Sequence, residues 1–171
     1  MKIMIASDIH GSEKYAQKLV DAYKKSGAKK LVLLGDYLYH GPRNDLSQGY
    51  NPKGVIAILN GIKDELLCVR GNCDTEVDQM VLEFPIMADY TVMADGDRMI
   101  YFTHGHKYGP GNFPGVRVGD VIVSGHTHIP INEEFDGIQC VNPGSVSIPR
   151  CGSEHQCLIY ENGEFETVIL K

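Results

Sequence analysis

KIMIASDIHGSEKYAQKLVDAYKKSGAKKLVLLGD, residues 2–36, changes its hydrophobic period twice. Ile3, Met4, Ile5 and Ala6 form a continuous apolar run of strand length. From Ser12 the apolar positions recur at helical spacing, through Tyr15, Ala16, Leu19, Val20 and Tyr23. Ser12 suits the N-cap and Gly27 the stop. Leu31–Leu34 is a second apolar run, and it ends in Gly35-Asp36. Strand, helix and strand in that order predict a parallel pair joined by a right-handed crossover.

The alternation continues. Asn51-Pro52 opens a second helix with Val55, Ile56, Leu59 and Ile62 facing inward, and ELLCVRGN, residues 65–72, reads as a third strand. The second half is different: Asp95-Gly96, Asp136-Gly137 and Asn162-Gly163 each separate strand-like runs and predict hairpins. The expectation is an α/β (α+β) fold: one domain, residues 1–171, with a mixed sheet system and helices mainly from the first half. Two long connections, 37–51 and 105–119, are of the length that usually serves function.

The 171 residues carry a net charge of -6 and no run of Lys and Arg. Nonspecific binding to duplex nucleic acid or an anionic membrane needs a basic face, and no such run supplies one, which leaves room only for a small basic patch assembled by the fold. The apolar run before Asp8 is too short for a secretory signal, and nothing approaches a spanning helix, so a soluble cytoplasmic protein is expected. The five cysteines are Cys68, Cys73, Cys140, Cys151 and Cys157. They show no C-x-x-C spacing and argue against both a disulfide framework and a zinc ribbon.

In open α/β sheets, ligands bind beyond the carboxyl ends of the strands. The five apolar runs that end in chemistry-bearing residues finish as Asp8-Ile9-His10, Gly35-Asp36, Gly71-Asn72-Cys73-Asp74, His104-Gly105-His106 and Gly125-His126-Thr127-His128. Carboxylate, amide oxygen and imidazole together suit first-row divalent metals. Residues two apart on an extended segment share a side, which would make Asp8 with His10, and His126 with His128, local pairs. Each group alone has a plainer use. Asp36 suits a turn cap, Asn72 an Asx-turn, and His104 a hydrogen-bonded core position. The case for metal rests on all five sets falling at strand ends.

The order DIH, GD, GNCD, THGH and GHTH resembles the calcineurin-like metallophosphoesterase family over residues 3 to about 148. GDYLYHGPRN and NPGSVSIP are most similar to its small bacterial YfcE-type phosphodiesterases. The resemblance implies a mixed β-sheet sandwich flanked by helices, with the active site at the strand C-terminal ends. It implies one metal on Asp8, His10 and His128, a second on Asn72, His104 and His126, and Asp36 bridging them. His104 is preferred to His106 because the family's ligand precedes the glycine. The implied activity is phosphodiester hydrolysis by a hydroxide bridging two divalent ions, Mn2+ first, with Zn2+, Fe2+, Co2+ and Ni2+ compatible with the same donors.

Cys73 departs from the family pattern, which has histidine there. A thiol donates hydrogen bonds weakly, so weak proton donation to the leaving oxygen is expected, with a packing thiol as the alternative. Arg43 is a candidate for a nonbridging phosphate oxygen, or else a solvated loop residue. Asp74 is expected to orient a neighbour or cap the segment that follows. The expected partner is a small phosphodiester, not duplex nucleic acid or membrane, and a homo-oligomer is compatible with the sequence. Phosphomonoesterase activity and a noncatalytic protein-binding module on the same fold are the competing readings.

Overall fold

A computed structural model describes residues 1–113 and 115–171. Strands β1 (Ile3–Ala6), β2 (Leu31–Leu33) and β3 (Leu66–Cys68) are parallel neighbours. Helices α1 (Glu13–Ser26) and α2 (Pro52–Asn60) make the two crossovers. The Ser12 side chain accepts from the Tyr15 N–H at the start of α1, and Gly27 ends the helix at φ 72°. Pro52 opens α2, where its missing N–H costs nothing. Ile62 lies beyond α2, at the head of a 3-10 turn, yet is buried as its spacing predicts.

Strands β9 (Gln156–Glu161) and β10 (Glu164–Ile169) return antiparallel to complete a sheet of order β10-β9-β1-β2-β3. The second sheet has order β4-β5-β6-β8-β7. It comprises β4 (Tyr90–Asp95), β5 (Arg98–Thr103), β6 (Val121–Ser124), β7 (Ile131–Phe135) and β8 (Ile138–Asn142). Here β5, β6 and β8 run parallel. The mixed sandwich with helices from the first half is therefore the fold.

Alternation along β1 explains why its run is apolar throughout. Met4 and Ala6 pack under the helices with Leu19, Leu31, Leu33 and Leu59. Ile3 and Ile5 face the second sheet, against Phe102, Val121, Val123 and Val141. The first hairpin corrects the sequence expectation. Asp95 is still paired, with Arg98, and the two turn residues are Gly96 and Asp97. Gly96, at φ 62°, takes the left-handed position one residue later than an Asp-Gly turn would put it. The other two hairpins turn at Asp136-Gly137 and Asn162-Gly163, as expected. A short helix, α3 (Glu76–Val81), is capped by a Thr75/Asp78 capping box rather than by Asp74.

Candidate metal centre

The topology directs the C-terminal ends of β1, β2, β3, β5 and β6 to one cleft. Its volume is about 320 Å³. Asp8, His10, Asp36, His104 and His128 are buried around it, while Asn72 reaches the surface and His126 is half-buried. The segments do not arrive in extended conformation. Eight non-glycine residues among those described have positive φ, and five of them are Asp8, His10, Asp36, His126 and His128. Such conformations cost an L-residue of order 1–3 kcal/mol each and persist only where surrounding contacts enforce them.

Those contacts are visible. Ser145 and Ser147 both donate their hydroxyls to the Asp8 carbonyl, at 2.8 and 3.1 Å, and the Val146 N–H donates to the Ser7 carbonyl. Asp74 accepts from the backbone N–H groups of Asp36 (2.8 Å), Tyr37 (2.9 Å) and Gly71 (2.6 Å). The expectation that Asp74 orients a neighbour describes this clamp. Burial, then Asp36, raises the Asp74 carboxyl to about 6. Asp8 and His10 do form a local pair, at 3.5 Å, but through alternating left-handed residues rather than a strand. His126 and His128 diverge: His128 joins Asp8 and His10, whereas His126 lies 5.1 Å from His104, ring centre to ring centre.

Gly71 sets how closely the β2 and β3 ends approach. A Cβ there would overlap Asp36 Oδ1 and the Asp36 backbone nitrogen, and would lie 2.8 Å from Asp74 Oδ2. Neither the backbone nor the clamped carboxylates can move aside independently. Gly71→Ala should therefore destabilise the fold by at least about 3 kcal/mol, the scale of a serious core overpacking. Denaturant titration would measure this, and a loss below about 1 kcal/mol would show that the strand ends can part.

The tautomers of three histidines follow from their partners. His10 Nδ1 donates to the Tyr39 carbonyl (2.7 Å), His128 Nδ1 to the Ile148 carbonyl (2.6 Å) and His104 Nδ1 to the Leu34 carbonyl (2.7 Å). A carbonyl only accepts, so each neutral ring carries its proton on Nδ1 and a lone pair on Nε2. His10 Nε2 and His128 Nε2 then face each other at 3.2 Å. His104 Nε2 faces Asn72 Oδ1 at 3.0 Å and Asp36 Oδ2 at 3.5 Å. Asp8 Oδ1 is buried and accepts no hydrogen bond, although His128 Nε2 is 3.2 Å away. Acceptors aimed at acceptors need a positive centre between them. The donor set thus fits divalent cations, with each Nδ1–H bonded to a backbone carbonyl as metal-ligating histidines usually are.

The electrostatics agree. Burial alone would raise Asp8 and Asp36, but His10 and His128 hold Asp8 well below the usual carboxylate range, and His104 lowers Asp36. Burial would lower His10, but Asp8 and then Asp36 outweigh it, and the imidazole ends above its ordinary value. His104, likewise opposed by burial, is raised to about 9, chiefly by Asp36 and Asp8. His126 is lowered, by burial and then by His104.

One consequence has a definite sign. At pH 7.5 the metal-free protein holds a proton on His104, whereas coordination needs the neutral ring. Mn2+ uptake at pH 7.5 should release at least about one proton per chain, and the release should fade as pH rises through about 9. Because the folded value lies above the unfolded value of about 6.5, His104 stabilises the metal-free fold fully below that pH. This contribution is lost as pH rises through about 9. Calorimetric titrations in two buffers of different ionisation enthalpy count the protons. Uptake without release would remove His104 from the ligand set.

Of the remaining residues singled out in the sequence, Cys73 and Arg43 line the cleft. Cys73 Sγ comes within 4.8 Å of ligand atoms of His10 and Asp36. His106 is exposed, its ring 5.3 Å from that of His104. His155 stacks on Tyr15, at 3.8 Å. Sequence reasoning missed Ser145, Ser147 and Arg150. The first two lie in NPGSVSIP, residues 142–149, a turn-rich stretch whose composition gives no hint that it braces Asp8.

Two mixed sheets bring histidines and carboxylates from their parallel strand ends into one cleft whose donors fit divalent cations, and residues 1–164 match the calcineurin-like phosphoesterase superfamily domain. The chain belongs to that superfamily. It is 45% identical over 170 residues to phosphodiesterase YfcE of Escherichia coli K12, covering 99% of this chain and 92% of that protein. The solved structure of the E. coli phosphoesterase Yfce superposes with a TM-score of 0.92 at 42% identity, covering all of both chains. The probable metallophosphoesterase YsnB of Bacillus subtilis is 29% identical over 157 residues, covering 88% of this chain and 78% of YsnB. Vps29 from Entamoeba histolytica, solved with Zn2+, shares the fold at a TM-score of 0.56 and 20% identity, with both chains fully covered. No helix of the described residues is long and apolar enough to cross a membrane.

Proposed function

We propose that the chain is a metal-dependent phosphodiesterase. Asp8, His10 and His128 hold one divalent cation; Asn72, His104 and His126 hold the other; Asp36 is shared. The observation that carries this reading is the convergence of the Nε2 atoms of His10, His104 and His128 on Asp8, Asp36 and each other. Mn2+ is the first choice, and the nitrogen and oxygen donors also suit Zn2+, Fe2+, Co2+ and Ni2+. When bound, two such cations would supply Lewis acidity to the phosphoryl oxygens and lower the pKa of the attacking water.

The protein's own groups divide the rest. Asp8 and Asp36 offset only two of the four positive charges, so the cleft attracts phosphate although the chain is acidic. Arg43, exposed at the cleft wall, reaches a nonbridging oxygen. Burial and then Asp36 push the Cys73 thiol up, so it remains a neutral, protonated and weak donor to the leaving oxygen. Esters with acidic leaving groups should then react best. Cys73→His should flatten the dependence of kcat on leaving-group pKa, and an unchanged slope would assign Cys73 to packing.

The cleft volume of about 320 Å³ suits a small substrate, and the name phosphodiesterase carried by the Escherichia coli relative supports the diester reading over the monoester one. The five free thiols suit a reducing cytoplasm. The test compares bis(4-nitrophenyl) phosphate with 4-nitrophenyl phosphate on Mn2+-loaded protein. The diester should win by at least about tenfold in kcat/KM. A monoester preference would make the chain a phosphomonoesterase, and no turnover of either would make it a noncatalytic binding module.

A further inference from the structure

Arg150 lines the same cleft as Arg43 and takes no part in the chemistry above. Its position is built. The Arg150 N–H donates to the His128 carbonyl at 3.2 Å, and its carbonyl accepts from the Ser153 N–H (3.1 Å) and hydroxyl (2.7 Å). Cys151 at φ 55° and Gly152 at φ 75° make residues 150–153 a tight turn of the I′ kind. The Arg150 backbone is thus tied directly to that of a candidate ligand.

The side chain is tied from the other wall. Arg150 Nη2 donates to Asn44 Oδ1 at 2.8 Å. Asn44 is itself fixed, its Nδ2 donating to the His40 carbonyl at 2.8 Å. A guanidinium held this way loses little freedom when a ligand arrives, and its other N–H groups remain to be used. Neither Arg43 nor Arg150 pairs with a carboxylate among the described residues. A diester with two uncharged arms carries one negative charge, which the metal centre and Arg43 already meet. The second unneutralised guanidinium, Arg150, then exceeds what such a substrate needs.

We propose that Arg150, pinned by Asn44, is a substrate-contacting specificity residue that receives a second phosphate group carried on one ester arm. This rests on the phosphodiesterase reading and narrows it to phosphodiesters whose alcohol is itself phosphorylated. The contact lies at an exposed rim, so it weakens as salt is added.

Binding separates this inference from the reading beneath it. Thymidine 3′,5′-bisphosphate and thymidine 5′-monophosphate differ only in the second phosphate. Calorimetry on Mn2+-loaded protein should give the bisphosphate a Kd at least about tenfold lower, roughly one charge-assisted phosphate contact. Arg150→Gln should reduce that ratio to below about threefold, and Asn44→Ala should reduce it partly. Arg150→Lys, which keeps the charge but loses the fork, should fall between. Metal stoichiometry and melting temperature verify that each variant is folded. Equal affinities in the parent protein, an unchanged ratio in Arg150→Gln, or no binding of either nucleotide overturns the proposal. Failure to hydrolyse any diester while the ratio stands would instead sink the phosphodiesterase reading.

Discussion

Exhaustive chelation should take phosphodiester hydrolysis to background, a fall of at least about 10⁴, and Mn2+ should restore it. The size follows from what the cleft contains without cations. The one thiol on its wall, Cys73, is held protonated by burial and by Asp36, and so cannot act as a nucleophile. Three of its imidazoles are committed: Nδ1 of His10, His104 and His128 is bonded to backbone, and Nε2 points at a carboxylate or another ring. None of these three rings is arranged to activate water by itself. The chelated protein should nevertheless stay folded. Neither hydrophobic cluster includes a candidate ligand, and a proton on His104, raised to about 9, supplies positive charge beside Asp36. Circular dichroism before and after chelation distinguishes loss of the centre from loss of the fold. Hydrolysis that survives complete metal removal at the parent rate would end the metal-dependent reading.

What was legible in the sequence and what was not divide along a physical line. The parallel order of β1, β2 and β3 could be read because strand and helix periods are local, and that order alone brings Asp8, Asp36 and Asn72 to one edge. The contribution of β5 and β6 was legible for the same reason, as apolar runs ending in histidine. The conformation of the site residues was not. Alternation on an extended segment predicted the pairing of Asp8 with His10. The real cause is a left-handed backbone imposed by Ser145 and Ser147 from more than a hundred residues away. Local propensity cannot announce a strain that distant contacts enforce. Gly71 is a similar case. It reads as a turn residue, but its missing side chain matters because Asp36 and Asp74 press against it. Arg150 had no motif at all, since its role depends on a turn and on Asn44 across the cleft.

Asp36→Asn should lower turnover by at least about 10³ and reduce bound metal from two ions per chain to fewer than one. Asp36 is the carboxylate that reaches both histidine sets: its Oδ2 is 3.6 Å from His10 Nε2 and 3.5 Å from His104 Nε2. Asn removes the charge that, in the proposed centre, would draw two cations to adjacent positions. It also places either an amide N–H₂ or a weaker oxygen donor against those lone pairs. The substitution need not disturb the scaffold. The Asp36 N–H still reaches Asp74, and the Cys73 N–H, now on Asp36 Oδ1 at 2.9 Å, can bond the amide oxygen. In that arrangement the amide nitrogen is turned toward the metals, which makes coordination worse. Asp36→Glu keeps the charge but lengthens the side chain in a site where Gly71 leaves no slack, so it should not rescue activity. Metal analysis of the purified variant, read beside its kcat, decides the matter. Two ions retained with a normal rate would show that Asp36 bridges nothing; two ions retained with a collapsed rate would give Asp36 a role in setting the water's acidity rather than in holding the pair together.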